Sequence, residues 1–597
     1  MATASFVNAS FERMRTHLNL TPCRLAILRS FVVEPVIAFL RAGAFLGGID
    51  VNVQVTDFGN YAQQILDNAS TLYSFRPDVA ILAVQTRDLA PWLWEGYTHQ
   101  QAPENRTAIA ELTDTMAEWI RIFRERSSAS LIVHNFETPA HSALGILDAQ
   151  HGDGETGTVL RINQAIQRAA SQYSGVYILN YDGLVSRHGR EHWFDQQKWL
   201  TMRMPIAANC VAAMAEEWLR FLHPLSGRIG KVLVTDLDNT LWGGVVGDAG
   251  IEGIQVGSEY QGAPYRAMQR ALLDLRSRGV LLAIASKNDH EIAIDAVRRH
   301  PGMLLRPEDF SSIQIGWGTK AESLRRIAEE LNVGLNSLVF VDDNPVERQS
   351  ILMELPEVTV IEVKGGTAAC ARSVRECPMF ERLSLSAEDR SRSEYYADQR
   401  QRETLRGAVS SLEDFYNSLG QKVTIERVTK ENLKRAAQLI QKTNQFNMTT
   451  HRHSEARISE FIADANYDVL TASVRDRFGD NGIVGVCIAR RCGEACEIDT
   501  LLLSCRVIGR TVETAILSYL VAENRGRGLV VLEGRFLPTA KNRVSESFFP
   551  NHGFDLKERT ESGSIWSLDL RTATVKCPEW IELSCPKPTL VEMSARA

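Results

Sequence analysis

Four short runs of consecutive apolar or β-branched residues, Val232–Thr235, Val280–Ala285, Ile313–Ile315 and Leu338–Val341, each break off into polar residues. Such runs suit strands buried on both faces, as in a parallel sheet. Between and after them lie stretches of helical period, Tyr265–Arg278, Glu291–Arg299, Lys320–Leu331 and Val346–Leu355. The pattern therefore predicts right-handed βαβ units whose strand-end loops share one face. Upstream, Arg24–Phe31, Val51–Val55, Pro77–Val84, Ile132–Asn135 and Val176–Tyr181 read as strands and Val36–Ala44 as a helix. They predict a three-layer α/β domain. From about residue 416 antiparallel strands dominate: Val423–Val428, Val469–Val474, Gly482–Ala489 and Ala495–Leu503, with helices over Glu431–Lys442 and Val512–Glu523. A charged stretch after Ser384 keeps helical spacing and reads as a connecting helix with a solvated face. The expected fold is a multidomain α/β chain: an α/β domain over 1–225, a Rossmann-like domain over 226–385, a helical linker over 386–415, an α+β domain over 416–575 and a tail over 576–597.

The chemistry sits where the apolar runs of the second domain end. Val232–Thr235 delivers Asp236 and Asp238, followed by Asn239 and Thr240; Val280–Ala285 runs into Ser286, Lys287 and Asn288. Lys320 opens the third helical stretch, and Leu338–Val341 delivers Asp342 and Asp343. Carboxylates this close repel unless a cation neutralises them, and Mg2+ takes oxygen ligands from carboxylates, substrate phosphate and water. The spacing reads as a phosphoryl-transfer site.

These words resemble the four motifs of the haloacid dehalogenase (HAD) superfamily: Asp236-x-Asp238-x-Thr240, Ser286, Lys320 and Asp342-Asp343. The resemblance implies that Asp236 is the phosphoryl-accepting nucleophile and Asp238 the general acid/base. It implies that Thr240, Ser286 and Lys320 bind phosphate, and that Asp236, Asp238, Asp342 and Asp343 form the Mg2+ site. The glycine-rich insert between Trp242 and Pro264 is too short for a domain and is expected to be a small flap, leaving room for a bulky substrate or the arm of a protein. LWGGVVGDAGIEGI, ASKNDHEIA, FVDDNPVERQ and KTNQFNMTTHR resemble the FkbH-like proteins of polyketide-type assembly lines. That resemblance implies loading of a glyceryl unit from 1,3-bisphosphoglycerate onto the phosphopantetheine thiol of an acyl carrier protein, with dephosphorylation. It also implies an enzyme thioester, yet no motif holds a cysteine. Cys210, Cys370 and Cys377 are the nearest in sequence, and Cys377 lies in a loop able to approach the crevice, though the structural reading of a buried cysteine is preferred.

The 597 residues leave room for three or four domains, and 44% hydrophobic with 23% charged residues is ordinary globular composition. A net charge of −7 with a pI of about 6.1 argues against a nucleic-acid partner, because phosphate backbones are bound by excess Lys and Arg. No apolar run reaches membrane-spanning length and no secretory pattern opens the chain, so the expected location is cytoplasmic. The ten cysteines form no disulfide framework. Cys487, Cys492 and Cys496 stand near a turn at spacings that match no common zinc site.

The first domain resembles flavodoxin-like and SGNH-hydrolase-like folds, but Ser30 stands in Leu28-Arg29-Ser30 and pairs with neither His188 nor His192 convincingly. The expected role is non-catalytic. Arg506-Val507-Ile508-Gly509-Arg510-Thr511, opening the helix at Val512, resembles the pyrophosphate-binding turn of GNAT acetyltransferases, with Phe548–Phe554 as a second likeness. By that resemblance Arg506, Gly509 and Arg510 would grip the phosphate of a pantetheine arm or coenzyme A, and Thr443–Thr450 would be a loop at the lip of that groove. Two other functions stay open: a plain phosphohydrolase, and a carrier-binding scaffold with a vestigial HAD site.

Overall fold

The computed structural model describes residues 2–18, 20–93, 102–150, 152–363, 365–385, 402, 405–406, 409, 411–539, 541–560 and 562–586. Most of the charged stretch expected to form the linking helix, and residues 587–597 of the expected tail, lie outside the described residues. The chain forms two compact units, Met1–Ser226 with His453–Ser459, and Gly227–Arg452 with Glu460–Ala597.

The first unit holds five parallel strands, β1 (Thr21–Arg29), β2 (Ile49–Val55), β3 (Val79–Ala83), β4 (Ser130–His134) and β5 (Val176–Leu179), in the order β2-β1-β3-β4-β5. Alternation along β1 makes it a three-layer domain. Leu25 and Ile27 pack with Val36 and Leu40 of helix α1 (Glu34–Leu46) and with residues of a C-terminal helix, Met214 and Trp218. Ala26 and Leu28 point the other way, into a core with Ile120 and Phe123 of helix α2 (Ala102–Arg126) and with Ile162 and Ile166 of helix α3 (Glu155–Ser171). The C-terminal helix is α4 (Val211–Leu225). Ser30, just past β1, is fully buried, and its hydroxyl accepts the Gln85 N–H at 2.8 Å. It fastens two strand ends together.

In the second unit, β6 (Val232–Thr235), β7 (Leu281–Ser286), β8 (Phe310–Ile315), β9 (Leu338–Val341) and β10 (Thr359–Val360) form a parallel sheet in the order β10-β9-β6-β7-β8. Helix α5 (Val246–Gly253) belongs to the insert after β6; α6 (Ala263–Ser277), α7 (His290–Arg299), α8 (Lys320–Glu330) and α9 (Pro345–Glu354) follow the strands, and α10 (Thr367–Glu376) comes last. Leu233 faces the core shared with α6 and α7, whereas Val232 and Val234 face the core shared with α8 and α9. The apolar runs are continuous because both faces are covered. β8 is longer than the predicted Ile313–Ile315, since Phe310–Ser312 also enter the interior.

A nine-stranded, mostly antiparallel sheet completes the unit: β11 (Gln421–Arg427), β12 (Phe446–Asn447), β13 (Tyr467–Asp476), β14 (Gly479–Cys492), β15 (Ala495–Leu503), β16 (Val531–Phe536), β17 (Asp555–Thr560), β18 (Gly563–Asp569) and β19 (Ile581–Ser584). Helix α11 (Leu433–Lys442) follows β11 and helix α12 (Val512–Gly526) follows β15. β15 and β16 run parallel, pairing only from Ala495 beside Val531 to Ile498 beside Gly534. Beyond that, β15 pairs with β12 instead, Leu503 with Phe446 and Leu502 with Asn447. The Met448 N–H donates to Leu501 O at 3.1 Å, and the Leu537 N–H donates to Met448 O at 2.9 Å. The Thr443–Thr450 segment, expected as a loop, thus contributes a short strand between β15 and the chain leaving β16. Its backbone groups, buried at Phe446–Thr449, demand partners, and the two diverging strands supply them.

Candidate active site

Register brings the motif residues to one edge. Thr235 lies beside Ile284 of β7 and Val341 of β9, so β6 and β9 end at the same level and β7 two residues beyond it, at Ser286. The Asp236 N–H donates to Val341 O at 3.1 Å, tying the first motif loop to the fourth. Carboxylate oxygens of Asp236, Asp342 and Asp343 lie within 4.8 Å of one another. Lys320 reaches them from the first turn of α8, whose start is fixed by a capping box between Thr319 and Glu322.

The Lys320 ammonium is buried against Asp236, donates to Ala285 O at 2.6 Å and lies 3.2 Å from Asp342 Oδ2. Burial works against the charged ammonium, yet Asp236 and Asp342 hold Lys320 above the ordinary lysine value. Burial, only partly opposed by Lys320 and reinforced by Asp236, pushes Asp342 up to about 6. Asp343 is raised by burial and by Asp236. Three crowded carboxylates against one ammonium leave an excess of negative charge, and the donor set is all oxygen. It fits a hard divalent cation such as Mg2+.

Two assigned residues sit differently from expectation. The Asp238 side chain, expected among the metal ligands, is not in the group of clustered carboxylates. It accepts from Trp242 Nε1–H at 2.8 Å, the Val246 N–H at 3.1 Å and Asn288 Nδ2–H at 2.8 Å. Three donors converge on it and fix its direction, which suits a proton-transfer group. Thr240, expected on phosphate, instead bonds Asp343: its hydroxyl lies 3.2 Å from Asp343 Oδ1 and 3.1 Å from the Asp343 N–H. The hydroxyl thereby braces the fourth motif against the first. Ser286 is buried at the end of β7 on the same edge.

Sequence reading assigned no role to Asn288 or Arg348. Asn288 orients Asp238, and Arg348 donates to the carbonyls of Asp342 and Asp343 at 2.6 and 2.7 Å, holding their loop. Both stand within a few residues of a motif, but the contacts span the fold. The insert is a small flap: Gly243 and Gln255 exchange N–H···O bonds at 2.9 Å, and α5 lies between them. Trp242 is completely buried and anchors it. Gly302 seats the far side, because a Cβ there would meet Val256 O at 1.9 Å.

Cys370 and Cys377 are buried in the core behind this edge. Burial pushes Cys377 up to about 11, and burial with the charge of Asp343 raises Cys370. Cys210 is buried in the first unit. None is a ready thiolate. Cys487 and Cys496 are buried and Cys492 is exposed, and among the described residues these three form no metal-ligating group.

In the C-terminal domain, Arg506, Gly509 and Arg510 do not converge. Arg510 is buried, donating to Asp476 Oδ2 at 2.5 Å and Gln421 Oε1 at 3.0 Å. Asp476 also takes both bonds of buried Arg402 at 2.9 Å. A guanidinium taken out of water needs a counter-charge, and Asp476 supplies it, so Arg510 braces the fold where a phosphate contact was expected. Gly509 adopts φ +75 and its carbonyl accepts from Tyr416. Arg506, in the turn after β15, lines a separate cleft.

Residues 24–223 match the family described as FkbH, N-terminal domain. The N-terminal part of the protein BF1531 from Bacteroides fragilis, which contains a phosphatase domain and was crystallised in complex with Mg, is 25% identical, with a TM-score of 0.56 over 61% of this chain and 96% of that one. PaiA N-acetyltransferase from Thermoplasma acidophilum, in complex with coenzyme A, and an N-acetyltransferase from Staphylococcus aureus are each 14% identical over 25% of this chain and 98% of theirs, with TM-scores of 0.21 and 0.20. No curated protein matches the chain.

Proposed function

We propose that this crevice is the centre of a Mg2+-dependent HAD-type phosphatase that also loads a glyceryl unit from 1,3-bisphosphoglycerate onto the phosphopantetheine thiol of an acyl carrier protein. The observation that carries the phosphatase reading is the gathering of Asp236, Asp342 and Asp343 around Lys320 at the carboxyl edge of a parallel sheet. The likeness to an Mg-bound phosphatase domain supports it, and the match to the FkbH N-terminal domain supports the finer reading.

In the phosphatase step an Asp236 oxygen attacks phosphorus as the P–O bond to the glyceryl oxygen breaks, and Asp238 delivers the proton to that oxygen. Water then attacks the aspartyl phosphate, Asp238 takes a proton back, and inorganic phosphate leaves. Asp236, Asp342 and Asp343 would hold the Mg2+, which when bound neutralises phosphate charge. Lys320 supplies a fixed cation, while Trp242 and Asn288 keep Asp238 aimed. In the acyl step a thiol sulfur attacks the acyl-phosphate carbonyl; the C–S bond forms, the C–O bond to phosphate breaks, and the thiol proton passes to solvent. With Cys210, Cys370 and Cys377 buried, direct attack by the carrier thiol is the simpler route. A flap as small as residues 242–256 leaves the crevice accessible to a long arm.

The test is intact mass spectrometry of a phosphopantetheinylated carrier after incubation with the protein, Mg2+ and 1,3-bisphosphoglycerate. A glyceryl adduct with release of two phosphates is the expected result. Phosphate release without an adduct leaves a plain phosphohydrolase. Neither product leaves a scaffold and overturns the proposal.

A further inference from the structure

We propose, resting on the reading of the crevice as a phosphatase site, that Lys287 is the residue by which it selects a substrate with a phosphate at each end. The Lys287 ammonium leaves Glu347 and takes the phosphate that Asp236 does not attack.

Lys287 follows β7 between Ser286 and Asn288, which are both buried, and Asn288 is fixed on Asp238 at 2.8 Å. Its own side chain turns outward, 41% exposed, and the ammonium meets Glu347 Oε1 at 2.5 Å. Glu347 lies in the first turn of α9, just past the Asp342-Asp343 loop. In the sheet β7 and β9 flank β6. Neighbouring strands are about 4.8 Å apart, so this ion pair, joining the chain after β7 to the chain after β9, spans the point where Asp236 leaves β6. It lies across the mouth of the crevice.

The other cations beside these loops are committed to the protein. Lys320 is buried against Asp236 and Asp342, and Arg348 donates to the carbonyls of Asp342 and Asp343. Even with Mg2+ bound, the metal and Lys320 do not exceed the charge of the carboxylates of Asp236, Asp238, Asp342 and Asp343. A second phosphate, carrying about −1.5 to −2 charge at neutral pH, therefore enters an unfavourable field unless a further cation meets it. Lys287 can do so at little cost, because an ion pair open to water is screened and weak. A phosphate offers the ammonium more charged oxygens than one carboxylate does, and the flexible lysine stem lets its three donors turn to them.

The test is calorimetric titration, in Mg2+, of the full chain carrying Asp236→Asn so that the ligand is not turned over, with propane-1,3-diol bisphosphate and with the matching monophosphate. The bisphosphate should bind more tightly. Adding Lys287→Gln should weaken it about tenfold or more and leave the monophosphate within about twofold, whereas adding Glu347→Gln, which releases the ammonium, should tighten the bisphosphate. A mere staple between two loops predicts instead that both substitutions act alike, on both ligands, and lower Tm together. That pattern, equal affinity for the two ligands before Lys287 is changed, or no binding of either, would overturn the proposal. Failure of the unsubstituted chain to release phosphate from either ligand, with the binding pattern intact, would sink the phosphatase reading and uphold Lys287 as the second phosphate contact.

Discussion

Asp236, Asp238 and Lys320 do different work although all three stand at strand ends or helix starts. Asp236 lies in the carboxylate group, and Asp236→Asn keeps its shape while losing nucleophilicity and charge. Phosphate release should fall on the order of 10³-fold or more, with the circular dichroism spectrum unchanged. Lys320→Met removes the one ammonium among three carboxylates, so turnover at saturating substrate should fall roughly 10²–10³-fold. The same variant should gain more thermal stability from added Mg2+ than the parent does, because the uncompensated carboxylates then depend on the metal alone; calorimetry with and without Mg2+ checks it. Asn288 acts through Asp238. Asn288→Ala should lower kcat about tenfold and shift the acid/base limb of its pH profile, whereas a merely structural loss would lower Tm and leave the profile in place.

Among the elements, β13 carries two buried carboxylates that tie the last sheet together. Asp468 meets Arg427 of β11 at 3.0 Å, Arg491 of β14 at 2.5 Å, and Arg527 after α12. Burial alone would raise it, but Arg527, Arg491 and Arg427 hold it below the usual carboxylate value. Its folded value is thus depressed, so its contribution to stability is present above the unfolded carboxylate value of about 3.9 and is lost as pH falls through the lower folded value. Asp468→Asn should cost on the order of 3 kcal/mol at neutral pH, since it removes the buried carboxylate that Arg427, Arg491 and Arg527 share and leaves Arg527 with Glu523 alone, and should flatten the acid limb of stability measured by urea unfolding at stepped pH. The flap is an element held by close approach. Gly302→Ala would drive a methyl into Val256 O, and about 1–3 kcal/mol of strain is expected, with activity impaired more than global stability if the flap alone shifts.

At the scale of the molecule, the parallel sheet β6–β10 and the nine-stranded sheet belong to one compact unit. Cys505 of the turn after β15 packs against the core of Val232, Leu324 and Leu338, and Asn332 bonds its carbonyl. A fragment ending at residue 385 should therefore melt several degrees below the corresponding transition of the full chain by differential scanning calorimetry. Equal midpoints would mean that the contact contributes nothing.

The sequence alone determined the α/β class, because a strand buried on both faces must be apolar throughout and its crossover helices must be amphipathic. Both signals are local, and Val232–Thr235 and Leu338–Val341 carry them without interruption. It also marked the residues at which the strands end, and the carboxylates there could be read as a phosphoryl-transfer site. What those side chains touch was decided by tertiary structure. Asp238 faces Trp242, Val246 and Asn288, and Thr240 braces Asp343 across 103 positions of chain, a distance no periodicity encodes. Arg510 resembled a phosphate ligand as a word, yet its charge is answered by Asp476, 34 positions away. The TNQFN segment looked like a polar loop, yet the gap between β15 and β16 draws it in as a strand. One cleft is lined by Lys231, Arg435 and Arg506, which lie far apart in the chain. Burial decides whether a charge needs a partner, and only the folded chain decides what is buried.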